Sequence, residues 1–274
     1  MKSPLPLVRR SCAFTFAGLA LTLSLRAADS WPDYRGPNQD GHAGTAGLAL
    51  SWSESKNVKW KTEIPLLGLS SPIVMDNQVW LTTATEDGHD FYVLCIDATT
   101  GEILADEKIF HSDDPQSMGN GAADNSYATP SAVIEPGRVY VHYGHFGTAC
   151  LDTTTRKVLW KRDDLKCWHY RGASSSPVLF ENLLILTFDG ADLQYVVALD
   201  KTTGKTVWKT DRSAVWNDEH IDKQMVKEGD WRKAHGTPLI VTIAGNPVMC
   251  SVGAKAAYGY DPRTGKELWR VDHP

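Results

Sequence analysis

The sequence predicts an all-β chain folded as a β-propeller of four-stranded antiparallel blades, about four blades present, in an incomplete ring. Three observations point there. A hairpin motif recurs four times, a short proline-led strand precedes each copy, and no stretch of helical periodicity competes with either.

The hairpin motif is fullest at Val197-Ala198-Leu199-Asp200-Lys201-Thr202-Thr203-Gly204-Lys205-Thr206-Val207-Trp208. A second copy runs from Tyr260 through Asp261 and Gly265 to Trp269. A third runs from Leu151 through Asp152 to Trp160, with Arg156 where the others have glycine. The fourth, from Cys95 through Asp97 and Gly101 to Leu104, has Ala105 at the tryptophan position. Each copy reads as an apolar strand running into an aspartate. The aspartate side chain can accept from turn amides. Glycine then supplies the positive φ of a tight turn. The next strand carries the tryptophan, which is suited to filling the gap between neighbouring sheets.

Ahead of each hairpin stands a strand led by proline: Ser71-Pro72-Ile73-Val74, Thr129-Pro130-Ser131-Ala132-Val133, Ser176-Pro177-Val178-Leu179 and Thr237-Pro238-Leu239-Ile240-Val241. Proline suits the first residue of a strand. Turns follow at Asp76-Asn77, Pro136-Gly137, Glu181-Asn182 and Gly245-Asn246. Further strands follow at 79–83, 139–143, 183–188 and 248–252. Four short strands in a meander, repeated every 48 to 61 residues, make blades. The expected blades are 62–111, 126–165, 172–211 and 236–274, with insertions at 112–125 and 212–235. Val58-Lys59-Trp60-Lys61, in an N-terminal segment 28–61, looks like the closing strand of a further blade. A longer ring cut short is expected, or two copies completing one ring.

The chain begins as an export signal. Lys2, Arg9 and Arg10 precede an uncharged run from Ser11 to Leu25, and small residues follow at Ala27 and Ala28. Residues 1–27 are expected to be a signal peptide, placing the protein in the periplasm or outside the cell; a retained anchor is the alternative. Cleavage removes four positive charges and no acid, deepening the formal net charge from −5. An acidic protein of this kind has no electrostatic reason to bind nucleic acid or anionic lipid. Cys12 leaves with the signal. Cys95, Cys150 and Cys250 lie in apolar strands, where cysteine acts as a small buried hydrophobe. No Cys-x-x-Cys pair is present.

The Ala-x-Asp-x-x-Thr-Gly-x-x-x-Trp pattern at 198–208 resembles the tryptophan-docking repeat of the pyrroloquinoline-quinone (PQQ) propeller superfamily. That group includes quinoprotein alcohol dehydrogenases and the propeller lipoprotein of the outer-membrane assembly machinery. Trp31-Pro32-Asp33-Tyr34-Arg35-Gly36-Pro37-Asn38-Gln39-Asp40-Gly41 resembles the opening signature of secreted PQQ-binding-like repeat proteins. The resemblance implies a propeller and, in the dehydrogenase branch, PQQ with Ca²⁺. This sequence lacks the vicinal Cys-Cys of those dehydrogenases, and their Glu/Asn/Asp calcium ligands find no matching positions. It also lacks a lipid-bearing cysteine after the apolar run.

Candidate site residues follow from the propeller reading. Strands entered through Ser-Pro or Thr-Pro are innermost, so the residues just before them approach the central channel: Asn125, Ser126, Ser174, Ser175 and His235, with His169 and Arg171 upstream. Such a channel would hold an anionic ligand or only water. His142 and His145 fall on opposite sides of an extended strand, so joint metal binding requires the Gly144 turn; hydrogen-bonded turn histidines are the plainer reading. Asp189 and Asp192 offer carboxylates to Ca²⁺, or a tight turn. The polar insertions, the second with Trp216, His220, Trp231 and His235, are expected to be binding loops. No phosphate loop or hydrolase elbow is present. Two function classes result: an exported non-enzymatic scaffold that binds a protein or small-molecule ligand, and a PQQ-dependent dehydrogenase oxidising alcohols or sugars.

Overall fold

A computed structural model describes residues 30–44, 47–119, 124–216 and 231–273. The expected signal 1–27, with Cys12, and His220 of the second insertion lie outside the described residues. Four four-stranded antiparallel sheets follow one another along the chain. Blade one is β1 (Ile73–Met75), β2 (Gln78–Ala84), β3 (Asp90–Asp97) and β4 (Ile103–His111). Blade two is β5 (Val133–Glu135), β6 (Arg138–His142), β7 (Thr148–Asp152) and β8 (Val158–Arg162). Blade three is β9 (Val178–Phe180), β10 (Leu183–Asp189), β11 (Gln194–Asp200) and β12 (Thr206–Asp211). Blade four is β13 (Leu239–Ile243), β14 (Asn246–Val252), β15 (Ala256–Tyr260) and β16 (Glu267–Asp272). Among the described residues the blades do not close into a ring.

Each sheet is a meander because its first turn is a two-residue hairpin. Asp76 and Asn77 both take positive φ, which gives the twist that matches paired strands. In blade four the turn is Ala244-Gly245, one residue earlier than the sequence suggested. Both residues there have positive φ, and Asn246 already pairs with Ile243.

The Asp hairpins are built alike. Oδ1 of Asp97 accepts from the amides of Thr99 and Thr100, at 2.7 and 2.8 Å. Asp152 and Asp200 each do the same with the two threonine amides that follow. These donors hold all three carboxyls below the usual range, led by the Thr100 amide, the Thr155 amide and the Thr203 hydroxyl. Four residues on, Gly101, Arg156, Gly204 and Gly265 sit at φ 78, 61, 72 and 70°. Only Arg156 bears a side chain there, in a region that disfavours one.

The tryptophans explain the glycines. The Trp160 ring of blade two lies flat on Gly204 of blade three, and its Nε1 donates to Lys201 O at 3.0 Å. Trp208 of blade three lies on Gly265 of blade four, and its Nε1 donates to Pro262 O at 3.1 Å. A Cβ on either glycine would stand within 2.7 Å of the ring. At the junction of blades one and two, Ala105 replaces the tryptophan and Arg156 replaces the glycine. The Arg156 side chain reaches Cys95, the cross-strand neighbour of Ala105, and so fills the space that a ring fills elsewhere.

Two expectations about tryptophan are corrected. Residues 58–61 form no strand. Trp60 docks through its side chain alone: its ring covers Gly101 and its Nε1 donates to Ala98 O at 3.0 Å. No described strand lies beside it to pair with its backbone. Trp269 does not sit between blades. It lies over Gly259 of its own sheet and is 37% exposed, because no described turn faces it.

The core comes in layers between sheets, since successive residues of a strand face opposite neighbours. Val139 and Val141 of β6 pack toward blade one, and Tyr140 packs toward blade three. Leu184, Leu186 and Phe188 of β10 face blade two, while Leu183 and Ile185 face blade four. Cys95, Cys150 and Cys167 are buried free thiols, and Cys250 is half-buried.

Candidate functional site

The inner ends of the blades are joined by a hydroxyl ladder. Two residues before each innermost strand stand Ser71, Ser131, Ser176 and Thr237. The Ser71 amide donates to Ser131 Oγ at 2.8 Å, the Ser131 amide to Ser176 Oγ at 3.0 Å, and the Ser176 amide to Thr237 Oγ1 at 3.0 Å. Each link ties one blade to the next. A small hydroxyl is required because the donor is backbone and the gap is narrow.

The segment after Ser30 lies across these inner ends. Trp31 exchanges both backbone hydrogen bonds with Val74 of β1, and the Ile134 amide of β5 donates to Pro32 O. Arg35 then reaches blade four, its two terminal nitrogens donating to Pro238 O and Thr237 O at 3.0 Å each. Gly36, at φ 77°, lets the Trp31 ring fold against the backbone. Burial raises the Asp33 carboxyl, opposed by the Arg35 and Gly36 amides. The opening signature is therefore a strap over the axis.

Beneath the strap is a cleft of about 390 Å³, lined in part by Arg35, Ser71, Ser131, Ser174, Ser176 and His235. Of the seven sequence candidates, only Ser174 and His235 line it. Asn125 and Ser126 line a separate hollow of about 160 Å³ with Met118 and Tyr127. The Asn125 amide nitrogen donates to Arg171 O at 2.6 Å, and its oxygen accepts from Ser126 N and from the Thr129 hydroxyl. Ser175 is buried at the junction of blades three and four, where its Oγ accepts from Thr187 and donates to Gly236 O. Arg171, at φ 74°, lies over the Tyr170 ring. His169 lines a third, water-sized cavity. The structure thus divides five of the predicted residues among three cavities and places Ser175 and Arg171 outside all three. Sequence reasoning overlooked Arg35 and the ladder hydroxyls, although the repeated Ser/Thr at the strand starts was the available signal.

The two carboxylate candidates are spent on protein donors, and the candidate histidines are buried or partly so. Asp189 is fully buried and makes a two-pronged pair with Arg212, at 2.9 and 2.7 Å. Arg212 also reaches Ser251 and Tyr260, pinning blade four to blade three. Asp192 accepts from the Trp168 and Leu193 amides. His142 is buried and shares its Nδ1 with the Thr148 hydroxyl at 2.8 Å; burial, then His145, pushes its pKa down to about 3. Burial, then Lys166, lowers His145 to about 4. His169 is 6% exposed and sits well below its usual value, through burial and then His145. Neither of its ring nitrogens has a partner, and each such buried group costs about 1–3 kcal/mol.

PQQ is a polyanionic quinone that is held with a calcium ion, so its site needs unspent cations and clustered carboxylates. On the axial face the Arg35 guanidinium donates to two carbonyls, and no carboxylate is among the described residues that line the cleft. No group of three His, Cys, Asp or Glu able to hold a metal assembles among the described residues. This lining does not fit PQQ with Ca²⁺.

The blades, their Asp-Gly turns and their docked tryptophans define a β-propeller repeat architecture. The family model described as outer membrane protein assembly factor BamB matches residues 193–274, from β11 through blade four. Among solved structures, BamB from Moraxella catarrhalis is similar at 18% identity and a TM-score of 0.48, over 75% of this chain and 51% of that one. The quinohemoprotein alcohol dehydrogenase from Comamonas testosteroni is similar at 20% identity and 0.49, over 76% and 35%. A europium-containing methanol dehydrogenase is similar at 13% and 0.45, over 73% and 50%. The chain thus spans between 35% and 51% of the length of these structures. No curated protein matches the chain. No described helix is long and apolar enough to cross a membrane.

Proposed function

We propose that this chain is an exported, non-enzymatic binding scaffold whose blades and loops hold a protein partner. One observation carries the reading: no carboxylate is among the described residues that line the axial cleft, and its Ser/Thr ladder and Arg35 strap tie blade to blade. Acid–base chemistry or calcium at this cleft would need a carboxylate there. The match of residues 193–274 to an assembly-factor family supports the same reading. The leader at 1–27 supports a periplasmic or secreted location, and the acidic charge disfavours nucleic acid.

The test has two arms on the full chain. Adding PQQ and Ca²⁺, followed by absorbance and dye-linked oxidation of alcohols and sugars, is expected to give neither retained quinone nor turnover. A photo-crosslinking side chain at Val271, in cells that export the protein, is expected to capture one discrete polypeptide, while one at Leu159 does not. Stoichiometric quinone with turnover overturns the scaffold reading in favour of a dehydrogenase. Absence of any discrete cross-link at either position and at the two insertions overturns it as well.

A further inference from the structure

The water-sized cavity beside blade two holds an unusual set of atoms. Gln116, Met118, His145 and His169 all line it, walled by Tyr143 and Phe146. Both ring nitrogens of His169 and Oε1 of Gln116 are buried without a hydrogen-bond partner. Met118 is itself buried. Gly144, at φ 62°, brings the chain close to His169: a Cβ there would stand 3.1 Å from Cδ2 and 3.4 Å from Nε2. The His145 and His169 rings lie 6.3 Å apart, centroid to centroid. Two imidazoles on one ion, each at about 2.0–2.1 Å from it, have centroids up to roughly 6 Å apart when the nitrogens are nearly collinear.

We propose that this cavity binds one soft monovalent metal ion, copper(I), between His145 and His169, with the Met118 thioether as a third ligand and Gln116 Oε1 alongside. The ligand chemistry selects the ion. Thioether sulphur and neutral imidazole favour copper(I) over hard cations. Burial keeps both rings unprotonated, so neither needs to lose a proton to bind. Among the described residues no carboxylate or thiolate joins the two histidines to make a three-donor set, so the site falls short of what zinc requires. Ligation gives the two orphan polar side chains a partner, as one buried water would, and titration with copper(I) separates the two.

The test is anaerobic titration of the full chain with copper(I) against a chromogenic chelator, with silver(I) as a redox-inert stand-in. The expected result is one ion retained per chain and a raised unfolding midpoint. Met118→Leu keeps the side-chain volume and should weaken binding at least tenfold. His169→Gln should abolish it, with circular dichroism reporting whether each variant folds. Cys250→Ser, at the least buried thiol, should leave binding unchanged. The proposal is overturned if the wild type loses the competition with the chelator. It is also overturned if folded Met118→Leu binds as well as wild type, or if Cys250→Ser removes the ion.

Discussion

Buried histidines govern how this protein meets acid. His142 and His169 stay neutral in the folded chain, His142 down to a pKa of about 3. In the unfolded chain both titrate near 6.5. Between those values the unfolded state binds protons that the folded state refuses, so stability is complete above about pH 6.5 and falls as pH drops through this window. His142 is expected to contribute a slope approaching about 1.4 kcal/mol per pH unit between pH 6 and 4, and His169 acts in the same direction. Urea unfolding across that range should show it, and His142→Gln should remove one histidine's share. The turn carboxylates Asp97, Asp152 and Asp200 act lower, because their pKa values already lie below 3.8. A flat profile from pH 6.5 to 4.5 would contradict the assignment. Nothing in the sequence marked His169 as partnerless, since its surroundings come from residues far away in the chain.

At the scale of the blade, the tryptophan and the turn it covers act as one unit. Trp208 is 9% exposed and hydrogen-bonded across the junction. Trp208→Ala is expected to cost about 3–5 kcal/mol, and Trp269→Ala under about 1 kcal/mol, both read by denaturant unfolding. Equal losses would mean that docking is not the source of the stability. The first junction offers a cleaner test. Ala105→Trp alone must push Arg156 aside, and Arg156→Gly alone leaves a gap. The double variant rebuilds the motif, and a cycle of the four proteins should give a favourable coupling of about 1–2 kcal/mol. The blades were legible because their signals are local: a turn aspartate, a positive-φ glycine, a proline-led strand. Cys95, Cys150 and Ala198 were legible too, since each lies opposite the tryptophan position in the register. The match between Ala105 and Arg156 was visible as two separate departures. Their shared junction was not, because docking joins one blade's last strand to the next blade's turn. Trp60 was misread for the same reason: its ring follows the motif while its backbone pairs with nothing described.

Over the whole molecule, the strap ties together what the ladder spaces apart. Arg35 holds Thr237 and Pro238 while Trp31 holds Val74, so one short segment spans blades one, two and four. Arg35→Ala should free blade four from the strap. Limited proteolysis is then expected to cut near residues 36–44 at least several-fold faster, with the sheets intact by circular dichroism. An unchanged cleavage rate would mean that the strap is held by Trp31 alone. The outward face of blade four carries Val252, Trp269 and Val271 at 55%, 37% and 61% exposure, and a patch of that kind favours association. Sedimentation should accordingly show concentration-dependent self-association that Val271→Lys reduces.

The amides of Ser71, Ser131 and Ser176 each sit at one boundary and donate to a hydroxyl rather than to a strand. Their protons can exchange with solvent only when that boundary parts. Three resonances therefore act as separate gauges, each giving the opening free energy of a single seam. In a stack whose units touch only their neighbours, these gauges need not agree. Their differences would show from which end the protein begins to come undone.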